Sequence, residues 1–281
     1  MHGADPRLVL GLHRSRHHRD ILTAALDLGV TDLDTAAPYL GFRSHEVLAE
    51  TSADLLPRFT LSTKVGFFLR AGRAEHSLDP VRLRLAIEKA ARELGREPDT
   101  VLLHNPERSL AGMSPADGHA LLGSACTALV DAARHGLCRT WGLSSWDTRP
   151  LGTAGVEDLP SPDVLMVRAG FLVGIDLLDT TAVLRNAWQA GETWGMSPFG
   201  GGNGTVWEDF DPRPFLRPPH DGLSRVQAAF RTAFHLPSAA AVAVGTDNPG
   251  HLAQLVQALG ADVDTTAVSQ YLRALHGHRQ S

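Results

Sequence analysis

Four side chains in the first 104 residues could together move a proton onto an oxygen. Asp34 and Tyr39 stand in Thr31-Asp-Leu-Asp-Thr-Ala-Ala-Pro-Tyr39, Lys64 in Phe59-Thr-Leu-Ser-Thr-Lys-Val65, and His104 closes Thr100-Val-Leu-Leu-His104. A phenol of ordinary pKa near 10 is a poor acid at neutral pH unless a neighbouring cation stabilises the phenolate it becomes. Lys64 can serve Tyr39 in that way, Asp34 can keep Lys64 charged and oriented, and His104 can donate to a substrate oxygen. That is the equipment for protonating a carbonyl oxygen as its carbon is reduced. Each residue alone has a plainer explanation: a core histidine, a structural ion pair, a tyrosine packing a loop beside Pro38. Asp32 resembles half of a two-carboxylate site, but residues two apart on a strand lie ~6–7 Å apart along it, which sets Asp32 deeper than Asp34.

Such a set works only if the fold brings it together. Each of the three segments is short, apolar or β-branched, and stopped by Pro or Gly, so each reads as a strand with its chemistry at the carboxyl end. Strand-like runs are expected at Leu8–Leu12, Thr31–Thr35, Phe59–Val65, Thr100–His104, Arg139–Ser144, Asp163–Ala169, Thr193–Ser197 and Ala240–Gly245. Helical segments fall between them, including Asp20–Leu28, Ser44–Thr51, Asp79–Leu94, Ser114–Arg134, Leu177–Ala190, Leu223–Phe234 and Pro249–Leu259, with a last helix over Thr265–His276. Eight strand-then-helix units without a break in composition predict one (β/α)8 TIM barrel spanning residues 1–281, whose site lies at the carboxyl ends of the strands. An open doubly wound sheet is the alternative, and the first strand–helix turn, Gly11-Leu-His13, lacks the GxGxxG that would favour it. The stretch 200–219, glycine-rich and then proline-rich with Trp207, Phe210 and Phe215, is long for a connection. It reads as a cover over part of the site, the plainer alternative being a surface excursion packed on the barrel.

Composition narrows the function classes. The chain has 281 residues, 43% hydrophobic and 20% charged, with a formal charge of −5 from 26 basic and 31 acidic side chains, so nothing favours nucleic-acid binding. The one basic run, His13-Arg-Ser-Arg-His-His-Arg19, is either a solvated loop or a contact to cofactor phosphates. His13, His17 and His18 resemble a metal cluster in composition only, and no metal is expected. Cys126 and Cys138 lack zinc-ligand spacing and a CxxC pattern; with no apolar leader at the start and no uncharged apolar span, a cytoplasmic protein is expected, a monomer or weak oligomer.

The motifs Asp34-Thr-Ala-Ala-Pro-Tyr39, Ser62-Thr-Lys64 and Leu102-Leu-His104 resemble those of the aldo-keto reductases. The resemblance implies Tyr39 as acid, Lys64 and Asp34 as its tuners, and His104 as the group that orients the carbonyl. It also implies NADP (NADPH), with NAD possible, and a small-molecule carbonyl substrate. Trp141-Gly-Leu-Ser-Ser145 is similar to the motif that grips the nicotinamide carboxamide, with Ser144 matching and Ser145 in place of Asn. Met166 stands where the family has Gln, and Met196 replaces the aromatic residue that stacks on the ring. Ser197-Pro-Phe-Gly-Gly-Gly202 resembles the diphosphate loop, which assigns Ser197, Phe199 and Gly200 to the cofactor. Gly245 and Thr246 align with the turn into a helix whose amides are a ready anion site, and His251 with the Arg that pairs a 2′-phosphate. These replacements leave a second reading open: a dehydratase, isomerase or cyclase that keeps the acid–base residues and binds cofactor weakly.

Overall fold

In the computed structural model, residues 5–201, 206–219 and 222–279 are described. Eight parallel strands close into a barrel. In chain order they are β1 (Arg7–Gly11), β2 (Asp32–Asp34), β3 (Thr60–Val65), then, after the hairpin β4 (Phe67–Arg70) and β5 (Arg73–His76), β6 (Thr100–His104), β7 (Thr140–Ser145), β8 (Val164–Arg168), β9 (Glu192–Met196) and β10 (Ala241–Val244). Each barrel strand pairs with the next, and β10 pairs back with β1. The ring of helices comprises α1 (Arg19–Asp27), α2 (Ser44–Ser52), α3 (Pro80–Leu94), the short α4 (Glu107–Leu110), α5 (Pro115–Arg134), α6 (Arg149–Ala154), α7 (Ile175–Trp188), the short α8 (Val206–Asp209), α9 (Arg225–Ala233), α10 (Pro249–Ala258) and α11 (Thr265–Arg279).

Local chemistry sets the helix ends. Asp79 caps α3 by accepting from Arg82 N, with Pro80 in the first turn, and Gly95 ends it at φ +69°. Ser114 caps α5 in the same way, and Ser224 with Gln227 forms a reciprocal capping box on α9. Alternate residues of each strand point out to the helices. Leu10, Leu33, Leu61 and Val242 join one sheet–helix core, and Val101, Leu103, Leu143 and Leu165 another.

The inward residues stack in layers, which the pairing register orders. Val9, Ser62, Gly142 and Trp194 fill the middle. Above them come Asp34, Leu102, Met166 and Ala243, then Gly11, Lys64, Ser144 and Met196. His104, Arg168 and Gly245 form the rim. Asp32 lies below this, 3.6 Å from Arg7 Nη1, so it supports the barrel floor and takes no part at the mouth.

Two segments add to the sequence reading. The stretch after β3, which the sequence pattern marks as neither strand nor helix, is the hairpin β4–β5. In the long loop, residues 206–219 pack their aromatic rings into a satellite core: Trp207 is 4% exposed, and Phe210 and Phe215 meet Phe171 edge-on at 5.0 and 4.8 Å. Residues 202–205 of that loop, Gly202 among them, lie outside the described residues. No helix among the described residues is long and apolar enough to cross a membrane.

Candidate active site

Asp34 ends β2 with its carboxylate inside the barrel. Oδ1 accepts from Ser62 Oγ (2.8 Å) and Oδ2 from Lys64 Nζ (2.5 Å). Lys64, 2% exposed, gives its other hydrogens to the Thr35 carbonyl (3.0 Å) and to Tyr39 Oη (3.2 Å). All three ammonium donors are thus spent on fixed acceptors, which holds the cation in one place beneath the phenol. Burial works against the Lys64 charge, yet Asp34 and Tyr39 beside it hold its pKa above the ordinary value. Burial raises the Tyr39 phenol, and the Lys64 charge pulls it the other way.

His104 closes the cluster at the rim, its ring 6.2 Å from that of Tyr39. Burial, then the charge of Lys64, hold its pKa well below the usual histidine value, so the ring is neutral. Nδ1 is sealed with no partner. The tautomer that avoids an orphaned buried N–H carries its proton on Nε2, which makes Nε2 the donor. The hairpin holds this strand end in place: His76 Nε2 is 2.8 Å from the His104 carbonyl and its Nδ1 2.7 Å from Ser109 Oγ, while Phe67 packs edge-on against both imidazoles. Gly66, at φ +128°, makes the turn into the hairpin, and a Cβ there would press on His76 Nε2 at 3.3 Å.

A hydrogen-bonded chain anchors Thr35 from behind. His17 Nδ1 is 3.0 Å from the Ser15 carbonyl, which can only accept, so that nitrogen carries the proton and Nε2 accepts from Ser44 Oγ at 2.7 Å. Ser44 therefore receives the hydrogen of Thr35 Oγ1 (2.5 Å), and Ser15 Oγ donates to Asp247 Oδ1 (2.6 Å) in the loop after β10. Of the basic run, His17 is fully buried, His13 packs its ring 5.1 Å from that of Tyr39, and Arg14 Nη1 reaches across to the Gly201 carbonyl (3.0 Å). Among the described residues no group of His, Cys, Asp or Glu could hold a metal ion.

The residues aligned with a cofactor are placed less uniformly. Ser144 lies in the inward layer of Lys64, its hydroxyl 3.9 Å from Met196 Sδ. Ser145 points outward and is spent: its hydroxyl donates to Glu107 Oε2 (3.0 Å), while Glu107 Oε1 accepts from the amides of Trp146 and Asp147. Glu107 thus works as a staple on the β7–α6 loop, and Ser145 belongs to that staple. Met166, 1% exposed, is an interior packing residue in the barrel core, with Met196 against it. Phe199 packs between a sheet–helix core and the satellite core and meets Trp207 at 6.3 Å, so its ring anchors the loop. The α10 amides are also engaged: Asn248 Oδ1 accepts from Gly250 N and His251 N, and Thr246 Oγ1 from Asn248 N. A helix start expected to be open to an anion is capped by its own side chain. His251 itself is exposed.

The phosphate end of a dinucleotide fits better. Ser197, Gly200 and Gly201 all take positive φ (54°, 69° and 71°), with Leu172 packed on Gly200 and the Arg14 guanidinium bonded to the Gly201 carbonyl. Gly245 seats the β10 loop on the β1 loop, where an added Cβ would meet the Gly11 and His13 carbonyls at 3.1 Å.

His76, Glu107 and Arg168 escaped sequence reading, as did the place of His13 beside Tyr39. Only Arg168 left a signal, two residues beyond Met166 on the inward alternation.

Residues 13–221 match the family model described as the aldo/keto reductase family. Similar solved structures include a protein of Pseudomonas aeruginosa named as an aldo-keto reductase, 25% identical over 90% of both chains, TM-score 0.63. An aldo-keto reductase of Bacillus halodurans in holo form is 18% identical over 96% of this chain and 91% of its own, TM-score 0.70. One from Klebsiella pneumoniae in complex with NADPH has the same identity, coverage and TM-score. No curated protein sequence matches the chain.

Proposed function

The chain belongs to the aldo-keto reductase family, a family of oxidoreductases, and on that premise we propose that it reduces a small-molecule carbonyl, or oxidises the alcohol in reverse, with Tyr39 as the acid and NADPH as cofactor, NADH being possible. The observation that carries this reading is the Lys64 ammonium, held by Asp34 and the Thr35 carbonyl and donating to Tyr39 Oη at 3.2 Å.

A reduced nicotinamide, when bound, supplies the hydride that the carbonyl carbon accepts. Tyr39 gives its proton to the oxygen as charge builds there, and Lys64 stabilises the phenolate that remains. Neutral His104 donates from Nε2 to the same oxygen and fixes its direction. In this reading Ser144 faces the nicotinamide. The Ser197–Gly201 turn and Arg14 hold the diphosphate, and the Arg14 tether to Gly201 draws the start of the long loop toward the mouth.

A second reading, acid–base chemistry without redox, is favoured by three observations: Ser145 is committed to Glu107, Met166 lies in the apolar barrel core, and the α10 amides are capped. The test is calorimetry with NADPH and NADH, then turnover of a panel of aldehydes and ketones with cofactor deuterated at C4. Deuterium on the carbinol carbon supports the reductase. Retained turnover with neither cofactor bound hands the site to the second reading.

A further inference from the structure

Arg168 is a cation at the barrel mouth with no counter-ion among the described residues. It ends β8 on the inward alternation, in the rim layer of His104. Nη2 donates to the Leu172 carbonyl at 3.1 Å, and Cζ lies 5.1 Å from the centre of the Trp146 ring. Nε is sealed from solvent and donates to nothing, while Nη1 has no partner and is not sealed. Among the described residues no carboxylate lies within ion-pair distance. Asp147, which feels its charge, is gripped by Arg149 at 2.6 and 2.8 Å.

A guanidinium remains charged at every working pH and carries five donors in a flat fork suited to a planar oxyanion. Here one donor is used inside the protein. A partly desolvated charge left this way is costly unless something meets it. The carboxylates near it are already paired, Asp147 with Arg149 and Asp34, the one carboxylate of the upper inward layers, with Lys64 and Ser62, while His13 lies against Tyr39 and Arg108 over Phe67 at 5.4 Å. We propose that the substrate carries a carboxylate besides its carbonyl, and that Arg168 binds this carboxylate while Tyr39 and His104 take the carbonyl oxygen. The Trp146 ring, 5.1 Å from the flat guanidinium, limits its motion.

This inference rests on the carbonyl-reductase reading, and the experiment separates the two. The purified enzyme is assayed with 4-oxobutanoate and with butanal, which share a four-carbon aldehyde and differ in the carboxylate. The ratio of kcat/KM for acid over neutral aldehyde should be about ten- to a hundredfold, the worth of a charge-assisted hydrogen-bonded pair. Arg168→Met should bring that ratio to within about threefold of one, mainly through KM for the acid, and Arg168→Lys should keep part of it. NADPH affinity is measured on all three proteins by fluorescence quenching, and circular dichroism checks that each is folded. Equal kcat/KM for the two aldehydes in the natural enzyme overturns the inference and leaves the reductase reading standing. A ratio unchanged in Arg168→Met overturns it too, as does a loss of NADPH affinity that accounts for the whole effect and makes Arg168 a cofactor contact. Turnover of neither aldehyde by an enzyme that binds NADPH counts against both.

Discussion

Lys64 Nζ stands 3.2 Å from Tyr39 Oη, on a cation whose two other hydrogens are held by Asp34 and the Thr35 carbonyl. The phenol therefore meets its positive neighbour in a fixed direction, and the pair is best tested by removing each member in turn.

Tyr39→Phe deletes the proton and little else. Turnover of carbonyl reduction should fall by about 10²–10⁴-fold, the usual worth of general acid catalysis, with cofactor affinity nearly unchanged. Single-turnover kinetics with fluorescence titration measures both, and unchanged turnover would remove Tyr39 from its role.

Breaking the buried ion pair should show in stability as well as rate. Lys64→Met and Asp34→Asn each leave one partner buried without the other, at a cost of about 3–5 kcal/mol. The double variant should lose less than the sum of the two by about 1–3 kcal/mol. Urea unfolding of the four proteins gives the coupling, and strict additivity would mean that the contact contributes nothing. Turnover lost in Lys64→Met should lessen at low pH, where solvent can protonate the oxygen.

Ser145→Ala should affect the fold more than the cofactor. Its hydroxyl is one of three donors to Glu107, so the loss is about 1 kcal/mol of stability, while Glu107→Ala, which strands two amides, costs more. Calorimetry should find NADPH affinity within about twofold in Ser145→Ala; a tenfold loss would return Ser145 to the carboxamide.

Acid should destabilise the protein before its carboxylates titrate. Burial lowers the pKa of His17, His76 and His104 in the folded state. Below about pH 6.5 the unfolded chain therefore takes up protons that the native state refuses. Stability from these groups is complete above that pH and is lost as pH falls, by up to about 1.4 kcal/mol per pH unit for each histidine until its folded pKa is reached. Urea midpoints from pH 7.5 to 5 measure the slope, which should be shallower in His17→Gln.

Cofactor preference should be weak, because the family resemblance aligns His251 with the arginine that pairs a 2′-phosphate. NADPH and NADH should bind with affinities within about tenfold of one another, and His251→Arg should shift the ratio toward NADPH by up to ten- to a hundredfold. Calorimetry with both cofactors decides it.

The parts of this chain that were legible in sequence are those in which a strand's own end carries the chemistry. Asp34, Lys64 and His104 each follow a short apolar run and precede a Pro or Gly, so strand, stop and functional group coincide. The β4–β5 hairpin was hidden because its turn, Ala71-Gly72, adopts positive φ at both residues (48° and 74°) without the Asn or Asp that announces such turns. His17 was hidden for a related reason: at φ +57° in a run of charged residues, nothing marks it as buried. The outward direction of Ser145 could not be read from the motif because pairing register decides which of two adjacent serines faces inward, and register is a property of neighbouring strands. Arg168 was passed over because a single charge in an apolar run argues against a membrane span, and only the layers show where it points.

The Asn248 cap sets two quantities against each other. Its side chain holds the amides of Gly250 and His251, the same donors an incoming phosphate would seek. Binding there is an exchange of one acceptor for another, so an anion gains only the difference between two sets of hydrogen bonds. The helix start is sated from within, and whatever it contributes to holding α10 together, about 0.5–2 kcal/mol for a cap of this kind, it withholds from any ligand.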